Sequence, residues 1–99
     1  MKMNFLTWGE LQEANRRAIQ AKCNSIDPEY VTRLPGHFRY PIFFTLPYER
    51  HGWVRCQVGT GVSSTVSDYV PCLLDVPQDI FNSLGTLVVD DEVSENSVR

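Results

Sequence analysis

Hydrophobic and polar positions change period several times along the chain, and each change marks an element. Trp8, Leu11, Ala14, Ala18 and Ala21 recur at helical spacing with Ile19 at the margin, which predicts an amphipathic helix over Trp8–Cys23. Thr7-Trp8-Gly9-Glu10 reads as a capping box at its start, flanked by Leu6 and Leu11 as a hydrophobic staple. Glu13 and Arg17 stand at i,i+4 on the polar face, a favourable pairing. Asp27-Pro28-Glu29-Tyr30 is a second start signal, with Asp27 as N-cap and Pro28 at the first helical position. Leu34-Pro35-Gly36 keeps that helix short.

Beyond residue 40 the period drops to two. Tyr40–Leu46 is dense in aromatic and β-branched side chains. In Trp53–Val58, Val54, Cys56 and Val58 fall on one side, and Trp53, Arg55 and Gln57 on the other. The polar Tyr48–Gly52 segment between them completes a β-hairpin with a wide loop. Gly59–Thr65 is a hydroxyl-rich loop, and Val66–Leu74 reads as extended chain interrupted at Pro71. Proline gives no N–H to a ladder, so that strand belongs at a sheet edge or is split there. Asp75-Val76-Pro77-Gln78 reads as a cap for a short helix that turns Ile80, Phe81 and Leu84 inward, with Gly85 at C′. Thr86–Val89 suits a last strand, and Asp90–Arg99 has no aromatic residue to bury.

These elements predict an α+β fold: an N-terminal helix packed on a small, mainly antiparallel sheet, with short second and third helices. Residues 1–89 form the single expected domain, and 90–99 an expected disordered acidic tail. Ninety-nine residues and 42% hydrophobic composition suit one modest core. A net charge of −3 supplies no basic field for a phosphate backbone, so direct binding to nucleic acid is not expected. The second helix is also too short, and too poor in basic and amide side chains, to read a major groove. No apolar run approaches the roughly 20 residues of a membrane span, and no secretory leader is expected ahead of the first helix. Cys23, Cys56 and Cys72 are odd in number and widely spaced, a pattern expected of reduced, cytoplasmic thiols.

Candidate chemistry is thin. Gly59-Thr60-Gly61 follows a strand, but a phosphate loop needs a Gly-Lys-Ser/Thr ending that is missing here. His37, His51 and the three cysteines show no metal-ligand spacing. A Cys–His nucleophile pair is disfavoured because Cys56 falls on the buried side of its strand. Asp68, Asp75 and Asp79 form no evident acid–base pair. No cofactor, metal or catalytic residue is therefore expected.

What remains suits contact with another protein. Aromatic residues and arginine dominate interface hot spots, and here Tyr48 and Arg50 sit in the hairpin loop while Trp53 and Arg55 face away from the core side. Tyr69 and Pro71 add an aromatic beside a slowly isomerising bond, which makes a prolyl isomerase at Pro71 one expected partner. The same residues could instead cover a second sheet face within the domain. A small-molecule or enzymatic domain using the Gly59–Thr65 loop and Cys56 is a different reading, and a toxin- or antitoxin-like protein is a third.

The Met3–Cys23 stretch MNFLTWGELQEANRRAIQAKC, the lone proline in Asp68-Tyr69-Val70-Pro71-Cys72 and the overall length resemble the anti-RecBCD protein 2 family of phages, short modulators of a host nuclease. The similarity spans the first quarter of the chain and one loop, and Pro71 is the position that matches. It implies a non-enzymatic phage accessory protein in the host cytoplasm that docks on the RecBCD recombination nuclease, through RecC, and alters its response to DNA ends.

Overall fold

The structure is a computed structural model that describes residues 2–46, 50–61 and 70–88. The expected acidic tail, the Val66 start of the proline-interrupted strand, Tyr48 and Tyr69 lie outside the described residues.

Among the described residues, five strands and three helices follow in the order β1 (Lys2–Leu6), α1 (Trp8–Gln20), α2 (Pro28–Arg33), β2 (Tyr40–Leu46), β3 (Trp53–Gly59), β4 (Pro71–Pro77), α3 (Gln78–Asn82) and β5 (Gly85–Val88). The strands form one sheet in the order β4-β3-β2-β1-β5, and every pairing is antiparallel. The fold is α+β, as the sequence predicts.

The start of α1 follows from its residues. Glu10 N–H donates to Thr7 Oγ1 at 3.2 Å, and Thr7 N–H donates to Glu10 Oε1 at 2.9 Å, so both halves of the capping box form. The helix stops at Gln20, short of Cys23. Cys23 N–H turns back to the Ala18 carbonyl and Lys22 N–H to the Ile19 carbonyl, a Schellman closure that places Lys22 at φ 59°. Leu11, Ala14 and Ala18 face the core with no exposed surface. Asn15 is buried beside them, because its amide clamps both backbone groups of Ile26, with Ile26 N–H donating to Oδ1 at 2.6 Å and Nδ2 donating to the carbonyl at 2.8 Å. The expected Glu13–Arg17 pairing gives way to Glu13–Arg16 at 2.6 Å and Arg17–Asp79 at 2.9 Å. In α2, Asp27 caps Glu29 N–H at 3.0 Å with Pro28 in the first turn, as its sequence requires.

Lys2–Leu6, which no periodicity marks as an element, is a strand between β2 and β5, and Leu6 is fully buried. Two readings are corrected. Asp75, read as a helix cap, lies within β4 opposite Arg55, and α3 begins at Gln78 after Pro77 without a side-chain cap. The ladder to β3 continues through the Trp53–Pro77 pair, so the backbone at Asp75 is already committed to extended structure. Gly85 likewise is no helix terminus: α3 closes at Ser83, and Gly85 opens β5 opposite Phe5.

The sheet cannot be flat. β4 and β5 are four strand spacings apart in the order, roughly 19 Å, and the ends joined by α3 are offset by roughly 20 Å along the strands. The seven residues between Pro77 and Gly85, five of them helical, reach only about 18 Å. The sheet therefore coils, enclosing one face. Leu6, Tyr40, Ile42, Cys56, Val58, Leu74 and Val76 fill that concave side with Leu11, Ala14 and Ala18 of α1. Ile80, Phe81 and Leu84 pack against the same core, in line with their expected inward orientation.

Candidate functional site

The convex face carries the alternate residues. Along β3 these are Trp53, Arg55, Gln57 and Gly59, opposite Pro77, Asp75, Leu73 and Pro71 of β4. On the other side, Pro41 pairs with Phe5, and Phe5 with Gly85. The β2–β3 register shifts between Ile42 and Phe44, and this bulge places the Phe43 ring over Gly59. A Cβ at Gly59 would stand 2.7 Å from Phe43 Cε2, so only glycine allows that approach. Phe43 and Leu73 remain 44% and 37% exposed, and Pro71 is exposed on the same face. These side chains form an apolar patch on the side away from the core.

One end of this face is polar and closed. Asp75 has no exposed surface, and its carboxylate accepts from Arg55 Nε at 3.0 Å and from Asn24 N–H at 3.0 Å. Asp75 N–H donates to the Asn24 carbonyl at 2.9 Å. With the Asn24 amide oriented by its donors, its oxygen also accepts from Arg55 Nη2 at 2.8 Å. The loop after α1 is thereby fastened along the outer edge of β4. With Pro71 lacking an N–H, little of that edge is left to pair with another strand.

The six expected contact residues have different fates. Trp53 is half-buried, with the Arg50 guanidinium 5.7 Å from its ring centroid. Arg50 also donates to Cys23 Sγ at 2.9 Å. Arg55 is 27% exposed and pairs with Asp75, which braces β3 against β4. Pro71 lies on the patch, at the start of edge strand β4, and no described peptide bond is cis. Tyr48 and Tyr69 are outside the described residues. Sequence reasoning missed Phe43, whose orientation depends on the bulge, and Leu73, hidden inside the continuous apolar run Val70–Leu74. It also missed Arg39, whose guanidinium lies 4.8 Å from the Phe5 ring centroid.

Catalytic alternatives find little footing among the described residues. No group of three or more His, Cys, Asp or Glu side chains is placed to hold a metal. Burial, reinforced by the nearby Asp75, pushes the Cys56 thiol up to about 12, which leaves it protonated and poorly nucleophilic at neutral pH. The Thr60 hydroxyl donates to the Val70 carbonyl at 2.9 Å, and the Thr60 carbonyl accepts from Tyr30 Oη at 3.0 Å. The first part of the glycine-rich loop is thus bonded internally. A groove of about 260 Å3 between α1 and α2, bordered by Ile19, Val31 and Pro28, is mainly apolar. Its Arg16 is engaged by Glu13 and Gln20. No helix among the described residues is long and apolar enough to cross a membrane. Comparison with protein-family models, curated proteins and solved structures found no match to this chain.

Proposed function

We propose that this protein is a non-enzymatic binding module that docks on a larger protein through the convex face of its sheet and modulates that partner. The carrying observation is the patch of Phe43, Leu73 and Pro71, apolar side chains left exposed on the face opposite the core. The resemblance of the N-terminal stretch and of Pro71 to the phage anti-RecBCD family makes the host RecBCD nuclease, approached through RecC, the partner to test.

Covering the exposed part of Phe43 and Leu73 contributes about 1 kcal/mol each, because each is a little under half exposed and full burial is worth about 1.5–3 kcal/mol. About 2 kcal/mol falls well short of the ~8 kcal/mol of a micromolar complex. Polar or aromatic contacts must supply the rest.

The test is binding of the purified chain to purified RecBCD, followed by nuclease activity on linear duplex DNA. Leu73→Asp should weaken binding at least tenfold, since it removes an apolar contact and forces a carboxylate to be desolvated. Ile19→Asp, on the outer side of α1, should bind as wild type. Absence of binding by the wild-type chain would remove RecBCD as the partner, and equal binding by Leu73→Asp would remove the convex face as the contact.

A further inference from the structure

Resting on the contact-surface reading above, we infer that the segment received by the convex face is apolar and acidic, with carboxylates that meet Arg39 and Arg50. Both arginines are exposed residues, and both guanidinium groups lie over aromatic rings, Arg39 at 4.8 Å from Phe5 and Arg50 at 5.7 Å from Trp53, with one Arg50 nitrogen donating to the Cys23 thiol. Stacking holds a guanidinium with its donor edge outward and lowers the entropy lost when it meets a carboxylate. Among the described residues the ion pairs use Arg16, Arg17 and Arg55, and none uses Arg39 or Arg50. The carboxylate on this face, Asp75, is buried and occupied by Arg55 and Asn24. The described part of the face thus offers two cations without counter-charges, although the chain as a whole carries −3.

The spacing limits the ligand. Phe5 lies level with Gly59 through Pro41, and Trp53 is six positions further along β3, so the two arginines are roughly 20 Å apart along the strands. A segment of about seven extended residues bridges that distance. Its acidic ends would meet the arginines, and its apolar middle would cross Phe43, Gln57 and Leu73. A single-stranded nucleic acid fits less well. Bases stack on bare aromatic faces and need a track of cations, whereas the Phe5 and Trp53 rings already carry guanidinium groups and only two arginines are offered.

The experiment is selection from a phage-displayed library of random linear peptides of about 12 residues on the full chain. The expected result is enrichment of peptides with two acidic positions flanking an apolar core. Their affinity should fall about tenfold with Arg39→Glu or with Arg50→Glu, and fall as salt rises from ~50 to ~300 mM. Ile19→Glu serves as the control, and a melting curve verifies that each variant is folded. Enriched peptides without acidic bias that still lose binding with Leu73→Asp would overturn the acidic segment and keep the contact surface. Peptides indifferent to Leu73→Asp would overturn both. A library that yields no binder overturns the linear segment. Tight binding of an oligothymidine of about 20 nucleotides, or self-association abolished by Leu73→Asp, would replace it with nucleic acid or with a second copy of the chain.

Discussion

Replacing Asp75 by Asn separates the role its neighbouring sequence suggests from the role the fold imposes. At a helix N-cap the two residues are nearly equivalent, and the exchange changes stability by only a few tenths of a kcal/mol. In the structure both carboxylate oxygens accept, one from Arg55 Nε and one from Asn24 N–H, each at 3.0 Å. Asn has one oxygen and one NH2, so one of those donors would face another donor in a site with no solvent contact. An unpaired buried donor costs about 1–3 kcal/mol, and the Arg55 charge also loses its counter-ion, which brings the expected loss to about 3 kcal/mol. The figure sits low in the range for a broken buried pair because Arg55 is 27% exposed. Urea unfolding at about pH 7, followed by the fluorescence of Trp8 and Trp53, measures it directly. The melting temperature should drop by about 12 °C or more. A double-mutant cycle with Arg55→Ala should show coupling above about 1 kcal/mol. A loss under about 0.5 kcal/mol with an unchanged denaturant slope would refute the buried-hub argument.

Lys22→Gly should stabilise the protein by about 0.5–1 kcal/mol, because Lys22 sits at φ 59° where a side chain is strained; urea midpoints will show the gain. Gly85→Ala should cost about 1–3 kcal/mol, since the added Cβ would stand 2.5 Å from Phe5 Cζ and the ring lies beneath Arg39; thermal unfolding reads this loss. The hydrogen bonds from Arg17 hold the Asp79 carboxyl below its ordinary value of 3.8. That lowering stabilises the fold above 3.8, and the contribution disappears as pH falls through the folded-state value. Asp79→Asn should therefore lose less stability than wild type when melting temperatures are compared between about pH 5 and pH 2.

Several elements depend on residues within a turn of one another, and the sequence by itself determined them. The Thr7–Glu10 capping box, the Asp27-Pro28 start, the apolar stripe of α1 and the alternation of Trp53–Val58 each satisfy their own backbone or periodicity locally. The placement of Pro71 at a sheet edge follows from its missing N–H alone. The proposed contact face is only half legible in the sequence: Trp53 and Pro71 can be placed on that side of the sheet from alternation and edge logic, but Phe43, Leu73 and Arg39 cannot.

Tertiary structure decided the rest, because the deciding partners are far apart in the chain. Lys2–Leu6 is too short to show a period, and only its ladders to β2 and β5 make it a strand. Arg17 finds Asp79 at a separation of 62 residues in place of the adjacent Glu13, since the fold brings the first turn of α3 within reach of the Arg17 side chain. Asp75 carries a correct local cap signature, yet a cap is worth about 1 kcal/mol. The β3 ladder, the Arg55 charge and the Asn24 backbone together exceed that, and all three arrive from other parts of the chain. The exposure of Phe43 has the same origin: one extra residue in β2 shifts the register against β3, and a period of two cannot be read through a bulge before the partner strand is known.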